Sequence, residues 1–133
     1  MAFRNKKVSF KESYPQFKKY GKFLTKWNKN VLTGTDFCDL EIDATGKIGK
    51  KGMFELGFLN TGSKCGLEIS SVKVYKNGNL IIQDVHTGLA SENYENNIYS
   101  FKINEYETGA AFRIVAKVKS KLATDSPGVV FIK

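Results

Sequence analysis

The sequence predicts an all-β protein folded as an antiparallel β-sandwich, of jelly-roll or galactose-binding type. Three observations carry this. From Cys38 onward, short apolar-polar alternations recur at regular spacing, each bounded by Gly, Asn, Ser or Asp. One Asn-Gly step, Asn77-Gly78, lies between two such runs and reads as a tight hairpin turn. No segment carries a convincing helical period. About seven strands so spaced make a two-sheet sandwich.

Each strand has its own signal. Cys38, Leu40 and Ile42 alternate with Asp39, Glu41 and Asp43, as in a strand with one wet face. The glycine-rich stretch Thr45 to Gly52 connects it to Phe54, Leu56 and Phe58. Asn60 to Lys64 is a turn cluster. In the next strand Leu67 and Ile69 share one parity and Val72 and Val74 the other. The extra residue must enter at Ser70-Ser71, which predicts a β-bulge there. Beyond Asn77-Gly78, Leu80 to Ile82 form the return strand, expected to end at Asp84. A long polar loop follows, Val85 to Asn97, then a strand from Ile98 to Asn104. From Ala110 to Lys119 the inward residues are Phe112, Ile114, Ala116 and Val118. Ser120 to Gly128 reads as a loop, and Val129 to Ile132 closes the sandwich. Between Ser13 and Asn30 the aromatics are spaced three and four apart, but Gly21 interrupts them. This stretch is read as irregular structure with one or two strands. The whole of 1–133 is taken as one domain, with 1–20 its least defined segment.

The 133 residues carry a net charge of +8. Between Met1 and Asn30, Glu12 is the sole acid among many Lys and Arg. Such a surplus suits an anionic partner or a solvated basic face. No run approaches the roughly 20 apolar residues of a membrane span. The basic residues near Met1 are not followed by an apolar stretch, so no export signal is read. The location expected is periplasmic or cell-surface if a leader was removed. Cys38 and Cys65 are too few for a zinc site. They pair only if the fold brings them together; two buried free thiols are the expectation.

Candidate chemistry centres on His86, the one histidine, two residues after Asp84. Residues i and i+2 of a strand point the same way, so the two can touch. A Ser-His-Asp triad also needs a nucleophile, and no Gly-x-Ser-x-Gly is present. No pair of carboxylates is marked out for glycoside hydrolysis, and no glycine loop for phosphate. The chain is therefore read as not an enzyme. Asp84 and Asp125 are weak candidates for calcium, which takes several oxygen ligands. Turn-fixing is the better role for both, and no cofactor is expected. Basic residues interleaved with aromatics, Lys18 to Phe23 and Lys26 to Lys29, only superficially suit nucleic acid. Exposed aromatics beside amides suit sugar rings and their hydroxyls instead. Trp27, Tyr94, Tyr99 and Tyr106, with Asn93 and Asn96, are the carbohydrate-binding candidates.

From Gly21 to Lys133 these motifs fall in an order that resembles a known family. It is the accessory β-sandwich domain at the C-terminal end of Bacteroidetes glycoside hydrolases, notably those of the β-N-acetylhexosaminidase type. The matching residues are Trp27 after Gly21, Leu40 to Thr45, Gly52 to Phe58, Thr61-Gly62 and Leu67 to Ile69. They continue with Asn77-Gly78, Asp84-x-His86-x-Gly88, Asn97-x-Tyr99 and Asp125-Ser126-x-Gly128. Ser91 stands near a place where the family often has a second glycine. The resemblance implies a non-catalytic, carbohydrate-binding-module-like domain with a glycan or a catalytic glycoside hydrolase module as partner. Asp84, His86, Gly88, Asp125 and Ser126 are then structural markers. The alternative is a structural domain that packs on a catalytic partner. The third reading is polyanion or nucleic-acid binding through the basic N-terminal segment.

Overall fold

The computed structural model describes residues 21–27, 36–60, 67–90, 97–120 and 128–133. The strands are β1 (Lys22–Trp27), β2 (Cys38–Asp43), β3 (Gly52–Asn60) and β4 (Leu67–Lys76). After them come β5 (Asn79–Ala90), β6 (Ile98–Ile103), β7 (Phe112–Ser120) and β8 (Gly128–Ile132). They form two four-stranded sheets, ordered β1-β8-β3-β6 and β2-β7-β4-β5, with every pairing antiparallel. This is the order of a jelly roll, two Greek keys wrapped face to face.

The alternation read in the sequence sets the faces. Leu40 and Ile42 on β2, and Phe112, Ile114, Ala116 and Val118 on β7, are buried, while Glu41, Asp43, Arg113 and Lys117 are exposed. Full burial of each large apolar side chain contributes about 1.5–3 kcal/mol. β8 breaks the alternation, since all five of its residues are buried. Val130 and Ile132 enter the core between the sheets. Val129 and Phe131 point the other way, and Phe131 meets the ring of Phe23 edge-on at 6.3 Å. A central strand apolar on both faces reads as the unbroken run Val129 to Ile132.

The predicted turn and bulge are present. Asn77 and Gly78 have φ of 50° and 86°, as a primed hairpin turn requires. The register of β4 shifts between Ile69 and Ser71 against both neighbours. One expectation is corrected. β5 does not end at Asp84 but runs to Ala90, pairing Gly88 with Ile69 and Ala90 with Leu67. Two residues, His86 and Thr87, stand opposite Ser70, and this bulge lets a polar stretch stay in the ladder. The aromatic stretch before Asn30 yields one strand among the described residues, β1, paired to β8.

The turns β2–β3, β4–β5 and β6–β7 gather at one end of the sandwich. At the opposite end, β1, β3, β5 and β7 finish and β2, β4, β6 and β8 begin.

Candidate functional site

The β5 bulge turns His86 toward the second sheet. Its Nδ1 lies 2.7 Å from Asp84 Oδ1. An ionised carboxylate only accepts, so Nδ1–H donates. The other oxygen, Asp84 Oδ2, accepts the backbone N–H of Ser100 on β6 at 3.2 Å. The His86 ring lies flat on that of Tyr99, with centroids 3.9 Å apart and planes at 14°. The Tyr99 hydroxyl shares its hydrogen between the carbonyls of His86 (2.7 Å) and Ile69 (3.1 Å). Inward from Tyr99, Phe58 meets its ring edge-on at 5.8 Å, and Trp27 lies 6.1 Å beyond. The Asp84–His86 pair is thus the outer end of an aromatic column that ties β5 of one sheet to β6 of the other. Burial, and then the Asp84 charge, push the Tyr99 phenol above its ordinary pKa. It stays a neutral donor across the physiological range.

The aromatic candidates separate by burial. Trp27 is 1% exposed and Tyr99 is 0% exposed, so neither offers a ring face to a sugar. Both are corrected to core residues. Trp27 fills the space left by Gly128, where a Cβ would collide with the indole and with the Leu59 carbonyl. Tyr106 is exposed, on the β6–β7 connection. That connection is fastened to the hairpin: Lys76 Nζ lies 3.2 Å from Glu107 Oε1 and donates to the Glu105 carbonyl. Asn77 Oδ1 accepts the Ala111 N–H at 3.0 Å. Asn93, Tyr94, Asn96, Asp125 and Ser126 lie outside the described residues, as does Cys65.

At the same end, between β2 and β7, is a cleft of about 520 Å³. Glu41, Asp43, Thr45 and Arg113 supply its polar groups; Gly78 and Ala111 are exposed in it, and Ile42 and Phe112, each 1% exposed, lie beneath as its floor. Arg113 Nη1 lies 2.8 Å from Glu41 Oε1, and the guanidinium covers the Tyr75 ring at 4.5 Å. The Thr45 backbone N–H, 3.0 Å from Asp43 Oδ1, and then its hydroxyl hold the Asp43 carboxyl below its usual range. The Thr45 hydroxyl also accepts the Phe112 N–H at 3.0 Å. The cleft therefore offers carboxylate acceptors and a planar donor, with Asp43 and Thr45 held in place by bonds to backbone N–H groups. None of its polar residues was singled out by sequence. Alternation placed Glu41 and Arg113 outward, but nothing local pairs β2 with β7.

No group of three metal-ligating side chains occurs among the described residues. Asp84 does not fit calcium, because both its oxygens face protein donors. Cys38 is a half-buried free thiol, and burial, then Asp39, raise its pKa, so it carries little thiolate. No helix among the described residues is long and apolar enough to cross a membrane. No protein-family model matches the chain, and no curated protein matches it.

Proposed function

We propose that the chain is a non-catalytic carbohydrate-binding module associated with glycan degradation. The observation that carries the reading is the cleft between β2 and β7. Sugar rings present C–H surface and paired hydroxyls. The exposed Gly78 and Ala111 leave a little apolar surface for the first, and Glu41, Asp43 and Arg113 suit the second as acceptors and donor. Among the described residues Tyr106, exposed on a fastened connection at the same end, is the stacking candidate. The family resemblance of the sequence points the same way.

A glycan array followed by calorimetry tests the reading. Binding to at least one glycan is expected, weakened severalfold by Asp43→Ala and by Arg113→Ala with the melting temperature little changed. An array without any binding would sink it. In its favour, the second reading, a domain packed on a catalytic partner, has Leu80, Ile81 and Val85, all exposed on β5. A blank array combined with loss of co-purification on charge substitution at Val85 would favour that reading. Polyanion binding through the basic N-terminal segment concerns residues outside those described.

A further inference from the structure

The turn beside the cleft carries positive charge that no described residue neutralises. Between Thr45 and Gly52 it presents Lys47, Lys50 and Lys51, all exposed. None makes an ion pair with a described residue, whereas Lys76, Arg113 and Lys119 each lie against a carboxylate. The turn is held at its root. Ala44 is 0% exposed and Ile48 is 1% exposed. The Ala44 N–H donates to the Phe112 carbonyl at 2.9 Å, and the N–H groups of Lys47 and Ile48 both donate to the Ala44 carbonyl. Thr45, in the same turn, lines the cleft. Three ammonium groups therefore stand on one turn whose first half is fixed and which begins at Thr45, on the edge of the cleft.

We infer that this end of the sandwich takes an anionic glycan, with Lys47, Lys50 and Lys51 meeting its sulfate or carboxylate groups. The inference rests on the carbohydrate reading above and names the class of glycan. The glycan's neutral hydroxyls would donate to Glu41 and Asp43 in the cleft, while its charges lie over the lysines. That division of labour favours a glycan over a nucleic acid. A sugar residue can turn hydroxyls to Glu41 and Asp43 while its acid group faces the lysines, whereas each residue within a DNA strand carries a phosphate and no free hydroxyl. Lysine suits the task, being a compact point charge that needs no bidentate geometry.

The test is calorimetric titration of the wild-type chain and of a K47Q/K50Q/K51Q variant. The probes are heparin for sulfate, polygalacturonate for carboxylate, dextran as a neutral glycan, and single-stranded DNA. The substituted side chains are exposed, so the variant should keep the wild-type melting temperature. Lys117→Gln, on the outer face of β7, is the control. Wild type should bind heparin or polygalacturonate more tightly than dextran and DNA, and the two anionic probes separate the source of the charge. The triple variant should lose about tenfold or more. The slope of log K against log salt should fall by about 2–3, near one ion per lysine. K117Q should bind like wild type. Equal binding of the anionic glycans by triple variant and wild type would overturn the inference, as would DNA binding as tight as heparin. Dextran binding as tight as the anionic glycans would overturn it while leaving the carbohydrate reading intact. Failure to bind any of the glycans would remove both.

Discussion

Tyr99→Phe isolates what the Asp84–His86 motif does. The substitution removes one oxygen from a side chain that is 0% exposed. The ring remains, with its edge-on contact to Phe58 and the stacked His86, so apolar packing is retained. What is lost is one hydroxyl hydrogen shared by the carbonyls of His86 and Ile69, at 2.7 and 3.1 Å. A neutral hydrogen bond contributes about 0.5–1.5 kcal/mol net, and stranding a buried polar partner costs about 1–3 kcal/mol. The shorter bond to His86 dominates, which places the loss at about 2 kcal/mol. For a domain of this size 1 kcal/mol moves Tm by about 3–5 °C, so a fall of about 6–10 °C is expected. Urea denaturation followed by circular dichroism measures it, with the m-value unchanged. Tyr106→Phe, exposed, serves as control and should stay within about 0.5 kcal/mol of wild type. A loss below about 0.5 kcal/mol for Tyr99→Phe would refute the idea that the hydroxyl locks the bulge.

The same residue has an alkaline signature. Its folded pKa is raised above the ordinary value of 10.0. Above that pH the unfolded chain releases the phenolic proton while the folded chain keeps it. The folded state then binds more protons, so stability falls as pH rises. The contribution is complete below pH 10 and drains away above it. Wild type should lose more stability between pH 9 and 11 than Tyr99→Phe does.

Two further outcomes follow from neighbouring contacts. Asp84→Ala and His86→Ala should each destabilise, and a double-mutant cycle should return a coupling of about 0.5–1 kcal/mol, the range for a partly exposed pair. Asp84→Ala should cost more, because it also strips the Ser100 N–H of its acceptor; equal losses would contradict the bridge between sheets. Gly128→Ala should destabilise by about 1–3 kcal/mol through overpacking, with a red shift of Trp27 emission. Unchanged emission and stability would mean that the indole has room there.

Local features of the fold were legible because local physics sets them. Alternation on β2 and β7 records which face meets the core. Asn77-Gly78 records two positive φ angles, and the parity change from Ile69 to Val72 records a bulge. The continuation of β5 was hidden for a related reason. An edge strand packs on one neighbour, so Gln83 to Thr87 could stay polar within a ladder and read as loop. The order β1-β8-β3-β6 is set by contacts between residues distant in sequence. Nothing near Trp27 or Tyr99 says that one lies against Gly128 and the other under His86. For the same reason Glu41, Asp43 and Arg113 could not be grouped, since they belong to strands joined only in the folded chain.

The edges of the two sheets narrow what the exposed apolar residues can do. Among the described residues β5 pairs only with β4, and β6 only with β3, so these two are the edge strands on one side of the sandwich. Free edges invite strand addition unless blunted. On β6 the edge N–H of Ser100 is taken by Asp84. On β5 the register shifts twice, between Leu80 and Ile82 around Ile81 and again at His86-Thr87, so no long run of evenly spaced groups is offered. A partner that covers Leu80, Ile81 and Val85 must therefore approach by packing side chains and not by extending the sheet. Val85 lies well along β5, whereas the cleft lies where β2 ends and β7 begins and reaches the hairpin into β5 only at Gly78. Docking through Val85 and glycan binding in the cleft, the two readings proposed above, would therefore not compete for the same residues. The one histidine serves neither, because its ring and its acid partner are already committed to closing the side between the sheets.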